Sequence, residues 1–291
     1  MSLASTTNRL RSRAEALAAA RLFFQERGVL EADCAALMPN PPIDANIDVM
    51  SVSISSSEIG YLHTSPEYAM KKLLAAGSGD IYFLGHVYRK GETGKRHSPE
   101  FTMAEWYRLG YSLSQMIEET CAFIRLFLGP LPKKILSYTE AFTIYANIEI
   151  EKSSSKELLQ AIERLKIDLP TQAEHWEKDT LTHLLLTHAI EPHLGKNELT
   201  ILTDYPPHEA ALACLIEKED RLVAERFEIY AQGVELANGY HELANAKELR
   251  DRFEMLNEKR EQPYPLDESF LGSLCSLPEC CGVSVGFDRA L

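Results

Sequence analysis

Hydrophobic positions recur at helical spacing in several parts of the chain. Residues 8–27, 112–128 and 247–260 each carry apolar side chains every three to four positions, with charged residues between them. A further helix is predicted after Ser65-Pro66-Glu67, because a serine followed by proline and glutamate is typical of a helix start. We expect that helix to end at Gly77, since glycine commonly follows the last turn.

The apolar runs in the centre of the chain are typical of strands. IYFLGHVY (81–88) and the run 101–107 flank a polar loop at 89–98, and this order predicts a hairpin. A second hairpin is predicted where residues 224–234 meet ELANGYHEL, with a turn at Gln232-Gly233. Strands interleave with helices but hairpins dominate, so the predicted fold class is α+β, with a mixed, mostly antiparallel sheet flanked by helices.

The remaining segments are less periodic. Residues 37–60 contain three prolines and many serines, and we expect irregular backbone with one strand near Ile47–Ile54. Charged helical stretches and prolines alternate at about 129–200, which predicts a helical insertion within one domain spanning 1–291. The C-terminal run CGVSVGFDRAL is rich in small residues and is expected to form a strand.

Composition narrows the functional classes. The chain has 291 residues, 45% of them hydrophobic, and a net charge of −13, which argues against a protein that coats phosphate backbones. There is no run of 18 apolar residues and no signal-peptide pattern, so we expect no membrane span. None of the six cysteines forms a C-x-x-C pair, and reduced thiols in a cytoplasmic protein are the expectation.

The first candidate for chemistry is the central hairpin. Arg89 ends its first strand, and a guanidinium matches the geometry of phosphate and carboxylate groups. In the second strand, Phe101 and Glu105 share one face, with Tyr107 two places beyond. An inward carboxylate needs a cationic partner. That partner is either a ligand ammonium or a Lys or Arg of the chain itself.

The second candidate is the pair Glu228 and Glu235 on the two strands of the other hairpin. Two close carboxylates repel unless a cation bridges them, and Mg²⁺ prefers such oxygen ligands. The alternative is a pair of exposed carboxylates on an edge hairpin. At the C-terminus, the small residues Gly282, Ser284 and Gly286 either allow a ligand to approach closely or serve tight strand packing.

Taken together, four stretches resemble a known family. They are LHTSPEYAMKKLLAAG (62–77), YRKGETGKRHSPEFTMAEWYR (88–108), RLVAERFEIYAQGVELANGYHEL (221–243) and GVSVGFDR (282–289). They resemble the catalytic core of class II aminoacyl-tRNA synthetases, in particular the lysyl branch and its group of ligases that lysylate elongation factor P. Two features favour that group: the chain begins with the first catalytic-domain helix, without an anticodon-binding domain, and Ser284 stands where the tRNA enzymes have glycine.

The resemblance implies an ATP-dependent, Mg²⁺-assisted activation of lysine or (R)-β-lysine as an aminoacyl-adenylate. It implies Arg89 and Arg289 as catalytic residues and Glu228 and Glu235 as metal ligands. The implied ATP-binding residues are Arg89, Lys90, Gly91, His97, Ser98, Phe101, Glu228, Ile229, Gly286 and Arg289. The implied residues for the amino-acid substrate are Ser65, Pro66, Glu67, Glu105, Tyr107, Glu235, Asn238, Glu242 and Ser284.

The resemblance also implies elongation factor P as the acceptor and a homodimer, with no role for tRNA or a membrane. Three features depart from the family pattern. Glu92 lies one place later after Arg89 than the family's glutamate, and Ala35 stands where the family has a proline of the dimer region. The family continues with an apolar helix after Arg289, where this sequence has two further residues. The sequence is therefore expected to be truncated or the activity impaired. The alternatives are a free-standing lysyl-tRNA synthetase-like fragment and an impaired paralogue that acts as a binding module.

Overall fold

The computed structural model describes residues 3–94, 97–169 and 176–291. The chain divides into two compact units. The first contains Met1–Gly129, Ala211–Cys214 and Gly239–Leu291, and the second contains Pro130–Ala210 and Leu215–Asn238. The interpretation of 1–291 as one domain with an insertion stays a prediction.

Helices and strands alternate along the chain. The helices, in chain order, are α1 (Leu3–Gln25), α2 (Glu67–Ala75), α3 (Leu113–Leu128), α4 (Tyr138–Ala141), α5 (Ser155–Arg164), α6 (Lys178–Leu185), α7 (Ala246–Glu258), α8 (Glu268–Ser273) and α9 (Phe287–Ala290). The strands are β1 (Leu30–Glu31), β2 (Leu37–Met38), β3 (Met50–Ser53), β4 (Ile59–Leu62), β5 (Ile81–Tyr88), β6 (Glu100–Leu109), β7 (Lys133–Ser137), β8 (Leu199–Tyr205), β9 (Leu215–Lys218), β10 (Arg221–Ala231), β11 (Val234–His241) and β12 (Cys280–Gly286).

The first unit contains a sheet in the order β1-β5-β6-β12. Strand β1 runs parallel to β5, whereas β5, β6 and β12 pair antiparallel. Glu105 lies in the middle of this sheet, opposite Phe83 on one side and Ser284 on the other. A small antiparallel sheet, β2-β4-β3, belongs to the same unit. The register brings the predicted hairpin and the C-terminal strand side by side.

Alternation along β6 separates an apolar face from a polar one. Trp106 is fully buried and its ring lies 5.3 Å from Phe24 of α1 and 5.2 Å from Phe123 of α3, centroid to centroid. Glu105 and Tyr107 are buried too, but successive side chains of a strand point to opposite faces. The aromatic core therefore packs behind the strand, and two polar side chains lie on its other face.

The second unit combines parallel and antiparallel pairs. Strand β7 pairs parallel with β8, and β10 pairs antiparallel with both β8 and β9. The turn that follows β10 contains Gln232 and Gly233, whose φ angles are 52° and 70°. Two positive φ angles are typical of the tight turns that join hairpin strands. The predicted turn and the predicted fold class, a mixed, mostly antiparallel sheet with helices, are confirmed.

Some local predictions are incomplete or wrong. The strand predicted near Ile47–Ile54 is β3, but the segment 37–60 also contains β2 and the start of β4. The C-terminal run forms β12 only as far as Gly286 and then the short helix α9. Residues 133–137 form β7, although this part of the chain was predicted to be a helical insertion. The reason is composition: KKILS begins with two charged residues, and its strand conformation comes from pairing with β8 rather than from an apolar pattern. Among the described helices, none combines the length and the apolar character needed to cross a membrane.

We expect Gly195→Ala to destabilise the second unit by about 3–5 kcal/mol, because it adds a backbone clash to an unfavourable φ angle. Gly195 has a φ of +72°, and a Cβ there would lie 2.4 Å from Cα of Ala231. The matched control is Gly129→Ala, where φ is +78° but no atom lies within 4 Å of the added Cβ. Urea denaturation of both variants measures the difference. Equal losses would contradict the close approach at Gly195.

Candidate active site

A buried carboxylate forms the centre of the polar face of β6. Glu105 is 2% exposed, and both of its oxygens accept hydrogen bonds from hydroxyl groups. Ser65 Oγ donates to Oε2 at 2.7 Å, and Tyr107 Oη donates to Oε1 at 2.9 Å. Ser65 Oγ also accepts a hydrogen bond from Glu67 N at the start of α2. The serine of the predicted helix start therefore also donates a hydrogen bond to Glu105.

A second buried group lies beside Glu105. Lys71 of α2 is fully buried, and its Nζ donates to Oε1 of Glu67 at 2.6 Å. The same Nζ forms an ion pair with Oε2 of Glu242 at 2.5 Å. Glu242 is 4% exposed and follows the last residue of β11. One lysine therefore connects two carboxylates that come from different segments. We call Glu67, Lys71, Glu105 and Glu242 the carboxylate cluster.

The carboxylate cluster has more acids than bases, and this imbalance shifts their proton affinities. Burial, and next the charge of Glu67, raise the pKa of Glu105 to about 8. Burial raises the pKa of Glu242 to about 7, although the Lys71 charge opposes the change. Burial alone would lower the pKa of Lys71, but the charges of Glu242 and Glu67 outweigh it and raise that pKa well above its ordinary value. A cation that binds here would favour the ionised forms of Glu105 and Glu242, because a nearby positive charge lowers the pKa of a carboxyl group.

Main chain of β12 forms one wall of the carboxylate cluster. A Cβ on Gly282 would lie 2.3 Å from Oε1 of Glu242 and 2.3 Å from Cε1 of Tyr107. Real Cβ atoms essentially never lie within 3 Å of a non-bonded heavy atom, so any other residue at this position forces Glu242 and Tyr107 to shift. The sequence left open whether the small residues here serve a ligand or strand packing. Gly282 serves the packing of two side chains of the candidate site.

The structure resolves two questions about Glu105 and Tyr107. Strand β6 continues through Tyr107 to Leu109, so Tyr107 meets Glu105 from within the same strand. An internal salt bridge was one alternative for Glu105. In the described parts of the chain, Glu105 has hydroxyl partners and no Lys or Arg within ion-pair distance.

Glu105 predicts a pH dependence of stability. Its pKa is about 8 in the folded protein and 4.5 ordinarily, so between these values the native state holds a proton that the unfolded chain releases. Rising pH therefore destabilises the ligand-free protein relative to Glu105→Gln, which stays neutral. We expect the difference in unfolding free energy to grow by on the order of a few kcal/mol from pH 5 to pH 8. If the wild type and Glu105→Gln differ by the same unfolding free energy at pH 5 and at pH 8, the prediction is contradicted.

Arg89 and Phe101 face each other across the base of the central hairpin. The Arg89 guanidinium carbon lies 5.1 Å from the centre of the Phe101 ring, and its Nε donates to Thr64 O at 3.4 Å. Both side chains are partly exposed, so a flat aromatic ligand could reach the ring. The loop residues Lys90, Gly91, His97 and Ser98 are exposed, whereas Lys95 and Arg96 lie outside the described residues.

The loop accommodates the extra residue before Glu92, so that Glu92 still lies near Arg89. Gly91 has a φ of +81°, a conformation that glycine adopts without strain. Glu92 Oε1 then lies 3.6 Å from Nη1 of Arg89, and Glu92 Oε2 lies 3.0 Å from Nδ1 of His97. The extra residue thus leaves a carboxylate beside the arginine.

The C-terminal segment is held by side-chain contacts. Asp288 Oδ2 accepts a hydrogen bond from Thr102 N at 2.7 Å, and Asp288 Oδ1 pairs with Nη1 of Arg13 at 2.5 Å. Phe287 is fully buried. Ser284 and Arg289 are partly exposed, and at Gly286 the nearest side-chain atom to an added Cβ is Cδ of Arg289, at 3.5 Å. Arg289 therefore lies alongside Gly286.

In the second unit, Glu228 is part of a hydrogen-bonded strand face. Arg226 Nη2 donates to Glu228 Oε1 at 2.6 Å, and Tyr230 Oη donates to Oε2 at 2.5 Å. Arg226 Nη1 also donates to the main-chain oxygen of Glu209 at 2.6 Å. Glu228 is 6% exposed, so these contacts fix a buried carboxylate on β10.

Glu235 and Asn238 are partly exposed on β11, and Ile229 is fully buried. The two-residue turn places Glu235 next to Tyr230 and on the same face as Glu228. The buried Ile229 side chain leaves only main-chain atoms for the predicted contact with ATP. Pro66 is buried at the head of α2, so it shapes the wall beside Ser65 rather than offering a polar contact.

The donor set of this hairpin suits Mg²⁺. Carboxylate oxygens are the ligands it prefers, and each oxygen of Glu228 keeps a lone pair after accepting one hydrogen bond. In the part of the chain that the structure describes, no three His, Cys, Asp or Glu side chains group closely enough to hold a metal ion by themselves. Glu228 and Glu235 therefore fit a magnesium ion that shares its shell with phosphate oxygens and water.

Lys71 and Arg226 were not singled out in the sequence. Lys71 lies four places after Glu67, the spacing at which two side chains of a helix meet, so the pair could have been found. Arg226 lies two places before Glu228 on a strand, which puts both on one face. In both cases the missed residue is the cation next to a predicted carboxylate.

Comparison with known proteins supports the resemblance. Elongation factor P–(R)-β-lysine ligase from Salmonella gallinarum is 40% identical over 296 residues, covering 98% of this chain and 90% of that protein. The protein of the same name from Photorhabdus laumondii is 42% identical over 291 residues, covering 96% of this chain and 89% of that protein. The profile of the family described as "tRNA synthetases class II (D, K and N)" matches residues 2–291. The resemblance drawn from the motifs is confirmed, and the chain belongs to this class II tRNA synthetase family.

Proposed function

We propose that this protein activates lysine or (R)-β-lysine with ATP and transfers it to a lysine side chain of elongation factor P. The observation that carries the proposal is the carboxylate cluster. The buried carboxylates Glu105 and Glu242 lie with the partly buried Glu67. The one lysine pairs with Glu67 and Glu242 and, among the residues that the structure describes, leaves Glu105 without a cationic partner. Burying a charge without a partner is costly. A substrate with two ammonium groups supplies the missing positive charge.

Within this proposal, the carboxylate cluster selects the amino acid. Glu105, with Tyr107, receives the distal ammonium together with Glu242, and Glu67 at the head of α2 receives the other amino group. An ionised Glu105 accepts a charge-assisted hydrogen bond, which is about twice as strong as one between neutral groups. Ser284, opposite Glu105 in the sheet, borders the same space and takes part in the choice of amino acid. Asn238 is proposed to bind the carboxylate.

Arg89 positions the first chemical step. A carboxylate oxygen of the amino acid attacks the α-phosphorus of ATP, the bond to the bridging oxygen breaks, and pyrophosphate leaves with that electron pair. The nucleophile is already ionised, so no protein base is needed. Catalysis is then alignment and charge stabilisation, to which the planar guanidinium of Arg89 contributes. Phe101 stacks on adenine and Arg289 holds the nucleotide beside Gly286.

ATP use is typical of this family, and Mg²⁺ commonly accompanies it. Glu228 and Glu235 are the residues we propose for the metal. When bound, the ion offsets the charge of the phosphates and templates their geometry. Arg226 and Tyr230 hold Glu228 in one orientation, so the ligand is fixed before the ion arrives.

The acceptor is proposed from the relatives. Both named relatives are called elongation factor P–(R)-β-lysine ligases, and the alignments cover nearly all of this chain. In the second step, the amine of an acceptor lysine attacks the activated carbonyl carbon and the carbon–oxygen bond to AMP breaks. The proposal includes a homodimer and excludes tRNA as acceptor.

Two assays test the proposed function in order. Pyrophosphate–ATP exchange, measured with lysine, (R)-β-lysine and norleucine, tests activation. We expect exchange with one or both diamino acids and none with norleucine, which lacks the distal ammonium. Labelled amino acid is then offered to elongation factor P and to bulk tRNA in parallel. Label on the protein supports the proposal, whereas label on tRNA alone, or no exchange with either diamino acid, refutes it.

A further inference from the structure

The Lys71 side chain is fully buried, so its charge needs partners inside the protein. A lysine is almost never fully buried unless it is paired, and Lys71 has no exposed side-chain surface. Its Nζ lies 2.6 Å from Glu67 Oε1, one helical turn back on α2, and 2.5 Å from Glu242 Oε2, which follows β11. The ammonium therefore fixes the distance between two carboxylates that belong to different elements.

The charge of Lys71 also favours the ionised form of Glu242. Two carboxylates near each other favour protonation of at least one, and Glu105 adds a third. The Lys71 charge lowers the proton affinity of Glu242, against the effect of burial. A neutral carboxyl group cannot form an ion pair with a substrate ammonium. Without Lys71, the cluster would hold protons in place of the substrate.

Other titratable groups lie around the carboxylate cluster and must be considered with it. They are Tyr68 of α2, Tyr107 of β6, His241 of β11 and Cys280 of β12. Burial raises the pKa of Cys280 to about 12, and it raises the pKa values of Tyr68 and Tyr107 above the range of enzyme assays. Glu105 and Glu242 of the carboxylate cluster, whose pKa values are raised to about 8 and about 7, therefore titrate near neutral pH.

We propose that Lys71 is a positioning residue of the active site: its two ion pairs hold the carboxylates of Glu67 and Glu242 in place for the two ammonium groups of a diamino-acid substrate. The inference rests on the proposed function and assigns a role within the same pocket. Lys71 acts through the two carboxylates. The charge balance follows, because three carboxylates and one lysine leave two negative charges, which two substrate ammonium groups compensate.

The test compares Lys71→Met and Lys71→Arg with the wild type and with Lys72→Met. Methionine keeps an unbranched chain of similar length without the charge, and arginine keeps the charge. Lys72 is the matched control: it is the next residue of α2 and pairs with Asp267 at 2.8 Å, outside the carboxylate cluster. For each protein, KM for the diamino acid and kcat of pyrophosphate exchange are measured from pH 6.5 to 9, and folding is checked by thermal denaturation.

We expect Lys71→Met to raise KM about 100-fold, because the unpaired carboxylates take up protons, while kcat falls less than about ten-fold. The rise of kcat/KM with pH should move at least about one pH unit higher. Lys72→Met should keep the wild-type KM and pH profile. A folded Lys71→Met variant with wild-type KM and pH profile would overturn the inference, because a merely structural lysine changes stability alone.

Two further measurements keep the outcome decisive. If Lys71→Met is unfolded at the assay temperature, Lys71→Arg decides: a wild-type pH profile supports the inference and a shifted one overturns it. If the wild type gives no exchange with either diamino acid, the proposed function has failed. Calorimetric binding of the same amino acids to the wild type and variants then tests Lys71 separately, with the same expected loss of affinity in Lys71→Met.

Discussion

Glu105→Gln lowers kcat/KM for the diamino acid by about 10³-fold, almost entirely through KM, since a neutral amide cannot replace a buried carboxylate that pairs with an ammonium. That factor corresponds to about 4 kcal/mol, at 1.4 kcal/mol for each tenfold change. The hydroxyls of Ser65 and Tyr107 can still contact the amide, so the fold should be retained. Pyrophosphate exchange over a range of amino-acid concentrations measures the effect.

The matched control for this variant is Glu119→Gln. Glu119 is also buried, but it accepts a hydrogen bond from Trp106 Nε1 at 3.1 Å and pairs with Arg108 on the opposite face of β6. We expect the control to lose stability and keep its KM. A Glu105→Gln enzyme that saturates at wild-type amino-acid concentrations would show that the ammonium binds elsewhere.

Arg89→Ala reduces exchange by about 10³-fold in kcat, because removing one preorganised donor to the developing charge typically costs 10²–10³-fold and Arg89 is proposed to contact two reacting groups. The loss of the contacts with Phe101 and Thr64 should cost no more than about 1 kcal/mol of stability, because the side chain is partly exposed. Initial rates at saturating ATP and amino acid, with denaturation curves, separate the two effects.

Arg27→Ala is the control for the arginine. Arg27 is partly exposed and its guanidinium carbon lies 3.6 Å from the centre of the Phe23 ring, so it also loses a cation–π contact. It should lose a similar amount of stability and retain exchange. If Arg89→Ala and Arg27→Ala exchange pyrophosphate equally well, the α-phosphate is not held by Arg89.

The sequence predicted those features of the fold that rest on local patterns. The central hairpin, the turn at Gln232-Gly233 and the helix start at Ser65 follow from apolar runs and turn residues, and the structure confirms them. Strand β7 was missed because its conformation depends on pairing with β8, which is more than sixty positions away along the chain. Contacts of this kind leave no periodic signal in the segment itself.

The site shows the same limit. Motifs singled out Glu105, Tyr107 and Glu242, but they could not show that Lys71 lies with Glu67 and Glu242. That contact depends on how α2 lies against the segment after β11. The late Glu92 looked like a defect in the sequence, and the left-handed conformation of Gly91 brings it within 3.6 Å of Arg89.

Gly282 limits how this pocket can change in evolution or in the laboratory. Any mutation at position 282 adds a Cβ, which would lie 2.3 Å from both Glu242 Oε1 and Tyr107 Cε1, so it displaces a side chain of the pocket. The pocket therefore cannot be enlarged at this wall by a substitution. A variant that accepts a bulkier amino acid must gain its space elsewhere, for example around Ser284, and libraries for altered substrates should keep position 282 fixed.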